Sequence, residues 1–382
     1  MAYLKNRDVN LINLHYAFQA MAQGSGGVFL LVFLIKAGLT VPETLLALAA
    51  TVLVRFVSRL AVIPFAAAVG VKAALICGCI VMACQYPLSA EVQGLNWALL
   101  ARCLVSGVGE ALYWTSYHAY FAALGDSEIR GHQVSAREAI AAAIGIVAPL
   151  FGAWALTSLG PLPAFAAIGV IQAAGALPLL GTPDVRIPAR VPSFLRAARL
   201  GITLFALHGW FTATFILVWQ VALFRTLGDS LQAFGGTLAL AAVAGAVGGL
   251  LLGKGIDSGR GASTVTSVLL AIMLVTLLRA ASLGSPQAAI AANAIGTFAL
   301  CFYVPTLMAP IYNLAKASPC TLRFHVATES AWDAGCMSAA LLAVWIVSSG
   351  LPLSWVVLLA VPASAAQIWV LTRYYRRHVT AP

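Results

Sequence analysis

Charge is scarce in this chain. Asp, Glu, Lys and Arg together make up 9% of its 382 residues, against 61% that are hydrophobic, whereas a soluble domain carries roughly 25% charged residues. A soluble globular protein is thereby excluded. Acids are the scarcer sign, 12 against 22 Lys and Arg. The six His lie far apart, and neither an HExxH nor a GxSxG pattern occurs, so no metalloprotease or hydrolase site is expected. Of seven Cys, the one close pair is Cys77-Gly-Cys79, whose spacing points the thiols to different helix faces. Buried, reduced thiols are expected, with no disulfide, metal or other cofactor. The polar first ten residues and the full-length apolar run after them do not have the pattern of a cleaved signal.

What is present is a series of about a dozen apolar runs of about 20 residues, the length that crosses a bilayer, with short connections. The net charge of +10 sits mostly at alternate connections and at the termini, including Lys5, Arg7, Lys72, Arg130, Arg190, Lys254, Arg260, Arg373 and Arg377. By the positive-inside rule both termini and the central connection are cytoplasmic. Basic span flanks account for the charge without a nucleic-acid partner.

The chain repeats itself. Leu14-His15-Tyr-Ala-Phe18-Gln-Ala20 returns 193 residues later as Leu207-His208-Gly-Trp-Phe211-Thr-Ala213, and Arg130-Gly-His132 returns at the same offset as Arg323-Phe-His325. Two matches at one register indicate a tandem duplication. The expected units are residues 1–181 and 200–382, joined by a Pro-rich, basic linker over 182–199.

Several spans carry polar residues at helical spacing. Span 1, about residues 11–35, has His15, Gln19 and Gln23 on one face. Span 2, 42–69, starts on a capping box at Thr40-Val-Pro42-Glu43 and holds Arg55 and Arg59 one turn apart. Each arginine would cost roughly 2.5–3.5 kcal/mol at the bilayer centre, so neither is expected to face lipid. Span 4, 95–124, has Arg102, Ser106, Glu110, Trp114 and His118 in a stripe, with Tyr113 and Tyr117 alongside. Span 7, 200–227, repeats a polar face with His208 and Trp210; span 10, 286–314, carries Asn293 and two prolines expected to kink it; span 11, 324–347, has His325, Glu329 and Asp333 at intervals of four. At about 1.5 Å of rise per residue, Arg55, Arg59, Glu110, Glu329 and Asp333 fall at overlapping depths in the cytoplasmic half, where opposite charges can pair. An acid in such surroundings can couple protonation to a conformational equilibrium, and Glu110, Asp333 and Glu329 are the proton-coupling candidates. The bland alternative is a set of static struts between helices.

Gly253-Lys-Gly-Ile-Asp257-Ser-Gly259-Arg260-Gly261, between spans 8 and 9, resembles the cytoplasmic Gly…Asp…Gly-Arg signature of the major facilitator superfamily, one residue shorter. Its first-half counterpart is reduced to Gly70-Val-Lys72. Arg102 to Gly109 loosely resembles that family's span 4 Arg motif, and Pro149-Leu-Phe-Gly152 its span 5 Pro-Gly motif. The resemblance covers the whole chain and implies an all-α membrane protein of 12 transmembrane helices in two parallel, pseudo-symmetric six-helix bundles. It also implies that spans 1, 4, 7 and 10 line a central cavity. Substrate contacts are then expected from His15, Gln19, Arg102, Tyr113, Trp114, Tyr117, His208, Trp210 and Asn293. Spans 2 and 11 would be neighbours, setting Arg55 and Arg59 opposite Glu329 and Asp333 as an inner gate, with Asp257 and Arg260 as further gating residues.

The expected function is secondary active transport of a small organic solute (anionic, zwitterionic or amphipathic) by alternating access, coupled to protons. The expected location is the bacterial inner membrane, multi-pass and monomeric, with the bilayer, solute and protons as partners. A non-transporting receptor or assembly factor on the same fold would need a partner-binding domain or tail, and none is evident; an intramembrane enzyme would need a nucleophile beside a His.

Overall fold

The computed structural model describes residues 6–124, 130–187, 194–252 and 261–379. Among these the regular structure is entirely helical and forms twelve rods. They are α1 (Arg7–Lys36), α2 (Val41–Val69), α3 (Val71–Ala90), α4 (Trp97–Leu124), α5 (Arg130–Ser158), α6 (Pro161–Leu180), α7 (194–226), α8 (Leu231–Leu252), α9 (Gly261–Ser282), α10 (Pro286–Ala317), α11 (Thr321–Ser348) and α12 (353–379). Eleven are long and apolar enough to cross a membrane. The exception is α4, whose length suffices but which carries the Arg102, Glu110 and His118 stripe.

Local signals act where the sequence places them. Thr40 and Glu43 close a capping box, the Glu43 carboxylate accepting from the Thr40 backbone N–H at 2.7 Å, which satisfies donors that a helix start leaves free. The glycines of α1 interrupt it: the α-helix ends at Ser25, and a short 3₁₀ turn, Gly27–Phe29, precedes its last segment. Pro305 and Pro310 lie inside an unbroken α10. One boundary differs from expectation, since α7 begins at Phe194, inside the segment read as linker. Hydropathy marks where a helix enters the bilayer rather than where it starts, and Arg196 and Arg199 extend the helix into the polar zone.

Between α2 and α3 a single residue, Gly70, makes the turn, at φ 91° and ψ 156°, a conformation open essentially to glycine alone. The chain after α6 covers it. The Val71 N–H donates to Val185 at 3.0 Å, Lys72 Nζ to the Thr182 carbonyl at 2.9 Å, and a side chain at position 70 would overlap the Asp184 carboxylate. Gly70→Ala should therefore destabilise the protein by about 1–3 kcal/mol, read as a lower unfolding midpoint in purified protein. An unchanged midpoint would mean that the turn relaxes freely.

The duplication is visible in the packing. In the first half α3 packs on α4 and α6, α2 on α4, and α1 on α5 and α6; in the second, α9 packs on α10 and α12, α8 on α10, and α7 on α11 and α12. Every pairing recurs six helices later, so the chain forms two six-helix bundles of the same plan. The bundles meet chiefly along α2 with α11 and α5 with α8. Toward the face opposite the chain termini the seam is apolar, with Leu48, Ala49 and Val52 of α2 against Cys336, Ala339 and Ala340 of α11. Leu60, on the outer side of α2, is 77% exposed while its neighbour Arg59 is 0% exposed. That contrast sets the rotation of α2: leucine outward to lipid, arginine inward to the seam.

Candidate functional site

Along α2 the side chains four residues apart share a face, and α11 does the same with Glu329 and Asp333. Where the two rods cross the bundle seam, these faces meet. Arg55 Nε donates to Asp333 Oδ1 at 2.6 Å and Arg59 Nε to Asp333 Oδ2 at 2.5 Å, so one carboxylate is held between two guanidiniums. Arg59 Nη2 reaches Glu329 at 3.2 Å, and Arg55 Nη1 reaches Glu110 of α4 at 2.6 Å. Asp333 and Arg59 have fully buried side chains, while those of Glu329 and Glu110 are 14% and 24% exposed.

Neutral groups complete the shell. Thr115 accepts from Arg59 Nη1 at 2.7 Å, Ser106 donates to Glu110 at 3.1 Å, and the Arg55 guanidinium lies 4.3 Å from the centroid of the Trp332 ring. At the inner edge His118 of α4 stacks on His325 of α11, ring centroids 5.4 Å apart, and His118 Nε2 lies 3.9 Å from Glu329. Charges removed from water are costly unless paired and hydrogen-bonded, and five ionisable groups from both bundles satisfy that requirement only by being together. Two guanidiniums face three carboxylates, one negative charge more than positive.

The other polar residues divide between the two bundles. His15 is fully buried, with Nδ1 2.6 Å from the Gly175 carbonyl and Nε2 3.0 Å from Tyr113 Oη. Gln19 accepts from Gln172 Nε2 at 2.5 Å, and Tyr117 stacks on Tyr113 with centroids 5.9 Å apart. In this structure His15, Gln19, Tyr113 and Tyr117, expected at a central solute path, make these contacts within the first bundle. Helices inside one bundle offer each polar atom a fixed partner, which a buried polar group must have. Gln23, on the same face of α1, is exposed.

The second bundle repeats the device. His208 Nδ1 lies 3.0 Å from Tyr303 Oη, to which Gln367 donates at 3.0 Å. Trp210 donates to the Leu359 carbonyl at 3.0 Å, packing against α12, and Asn293, 4% exposed, accepts from Trp219 at 2.9 Å. Trp210 is half-buried and also packs on the apolar cluster at the bundle seam, whereas Asn293 lies inside the second bundle. Trp114 and His208 remain half-buried, and Arg102 is 4% exposed with Thr51 at 3.5 Å as its hydrogen-bond partner.

A family model described as Major Facilitator Superfamily matches residues 13–319. The chain belongs to the major facilitator superfamily. As a member it is a multi-pass secondary transporter, and solved structures of transporters share its fold. A human organic anion transporter, MFSD10, is similar with a TM-score of 0.67 at 17% identity, covering 96% of this chain and 99% of that one. The transporter FucP in an outward conformation gives 0.67 at 15% identity, covering 98% and 99%. The POT family transporter PepTSo gives 0.69 at 12% identity, covering 99% of each. None of the curated proteins matches the chain by sequence.

Within the superfamily fold, the signature residues Asp257 and Arg260 lie outside the described residues. Thr115, Trp332, Gln172 and Gln367 were not anticipated. The signal for the last two was available: Tyr113 and Tyr303 are 190 residues apart and Gln172 and Gln367 are 195 apart, close to the offset that relates His15 to His208. Isolated glutamines in apolar runs acquire meaning only when compared across the duplication.

Proposed function

We propose that this transporter moves a small organic solute by alternating access, the bundles 1–181 and 200–382 rocking about a site between them, with protons as the coupling ion. The observation that carries this reading is the ionic cluster at the seam, whose members come from both bundles. Arg55 and Arg59 hold Glu329 and Asp333 across the seam as a gate on the side of the termini, which the basic flanks place in the cytoplasm. Parting the bundles there removes the partners of buried charges, so the closed gate is favoured until something else neutralises them. With three carboxylates against two guanidiniums, a single proton brings the cluster to neutrality. Glu110, the most exposed of the three acids, is the group that exchanges it, and His118 beside Glu329 offers a relay.

A solute with an anionic or zwitterionic head suits Arg102, and the half-buried Trp114 and His208 suit its apolar and polar parts. The protein acts as a monomer in the bacterial inner membrane, both termini inside. Proteoliposomes containing the purified protein, offered labelled organic acids, amino acids and amphipathic drugs under an imposed pH gradient, are expected to accumulate at least one class above protein-free liposomes. Uptake no greater than the protein-free level for every class would overturn the reading.

A further inference from the structure

A long basic side chain near the end of a span ordinarily reaches outward to the interface. Arg279, three residues before the end of α9 at Ser282, does the reverse. Its guanidinium turns into the second bundle, donates from Nη1 to the Phe215 carbonyl at 2.6 Å, and lies 4.1 and 4.7 Å from the ring centroids of Phe215 and Trp219. Phe215 is eleven residues from the end of α7 at Thr226, which puts its carbonyl roughly 16 Å in from that end at about 1.5 Å per residue. Arg279 is 2% exposed and its Nε has no hydrogen-bond partner.

No described carboxylate pairs with this cation, whereas Arg55 and Arg59 share three. Arg102 is the other deeply buried arginine in that condition, in the first bundle. The surroundings of Arg279 are shaped to admit a guanidinium. Residues Thr212–Val218 of α7 form a π-helix, a wide turn that is frequent at functional sites, and its Phe215 carbonyl takes the Nη1 bond. On α10, Gly296 leaves the space the guanidinium occupies, since any side chain there would overlap it. Asn293, on the preceding turn of α10, holds Trp219 by its indole N–H at 2.9 Å, and Trp219 in turn faces the cation.

Aromatic faces and one carbonyl hydrogen bond lower the cost of burying the charge but leave it uncompensated. The compensation that is missing is an anion. With Nη1 engaged, the Nε–Nη2 edge, the fork that a carboxylate grips with two parallel hydrogen bonds, lies beside α10 at Gly296 with Nε unpartnered. A cleft of about 550 Å³ on the face opposite the termini is lined by Ala222, Arg225, Ala280, Leu283 and Leu353; Ala280, the residue after Arg279, is in its wall, and its Arg225 is paired with Asp229 at 2.5 Å.

We propose that Arg279 is the anion-binding residue of the second bundle, taking the carboxylate of a small organic solute that enters through this cleft. The assignment of the carboxylate to a transported solute rests on the transport reading above; the binding site itself does not. Its test uses the full-length protein in nanodiscs, with the unfolding midpoint followed against sodium acetate, lactate and benzoate, their uncharged amides, and sodium chloride.

At least one of the carboxylates is expected to raise the midpoint saturably while its amide and chloride do not. Arg279→Gln should weaken its apparent affinity by about tenfold or more, with Arg279→Lys intermediate and Arg225→Gln close to wild type. Because removing a buried charge can alter folding, Gly296→Ala is the second variant: it keeps the arginine, crowds it, and should weaken the same response. No saturable carboxylate response in the wild type, an unchanged affinity in both Arg279→Gln and Gly296→Ala, or an equal response to chloride would overturn the proposal. Arg279-dependent binding without uptake in proteoliposomes would leave the anion site standing and remove the transport reading; uptake without such binding would do the opposite.

Discussion

Asp333→Ala should be the most damaging single substitution in the protein. It removes the carboxylate that both Arg55 and Arg59 grip, at 2.6 and 2.5 Å, and leaves Arg59, with no exposed surface, supported by Glu329 at 3.2 Å and Thr115 alone. Breaking a buried pair by deleting one partner costs about 3–5 kcal/mol, because the other charge stays desolvated. The unfolding midpoint should fall markedly and uptake should drop to background. A strut and a gate differ in a second measurement. If the cluster is a gate, Asp333→Ala shifts the distance distribution between spin labels on the inner ends of α2 and α11 toward separation. If the cluster is a strut, stability falls with no change in that distribution. A variant that melts and transports like wild type would dismiss both roles.

Glu110→Gln should have the second largest effect, and on coupling rather than on folding. Glutamine keeps the shape and one acceptor oxygen, enough to receive Arg55 where Oε2 does at 2.6 Å, while its NH2 can donate to the Ser106 hydroxyl that meets Oε1 at 3.1 Å, and it cannot exchange a proton. A gradient of one pH unit is worth about 1.4 kcal/mol per proton, or about tenfold accumulation for one proton per solute. Accumulation should therefore collapse to equilibration in the variant, while counterflow exchange, which needs no net proton movement, continues. Loss of both activities would make Glu110 a structural partner of Arg55; loss of neither would move the coupling to Glu329 or Asp333.

The pairing of Arg55 and Arg59 with Glu329 and Asp333 was legible before the structure, for a specific reason. Spacing and estimated depth put these charges and Glu110 in one layer, where charge inside a span demands a partner, and the family resemblance, which makes spans 2 and 11 neighbours, set the two arginines opposite Glu329 and Asp333. Glu110 followed by the same logic, although its partner Arg55, reached from within its own bundle, was not specified. Where the face with His15, Gln19, Tyr113 and Tyr117 points was not legible, because it turns on rotation. Spacing tells which residues share a face, whereas the neighbour of that face depends on how α1 and α4 are turned against α6. Arg279 was legible only as a basic residue near a span end, because the direction in which its long side chain turns is set by Gly296 and by the wide turn of α7.

By itself the sequence determined that the chain crosses the membrane, how many times, and that it does so as two copies of one unit. Those properties are sums over contiguous residues: the transfer of each span into lipid adds residue by residue, and a duplication persists as identities at a constant offset. Tertiary structure alone decided which polar groups meet. Arg55 and Asp333 are 278 residues apart, and their contact, like the separation of His15 from the seam, follows from the rotation and crossing of helices, to which no local run of residues holds the answer.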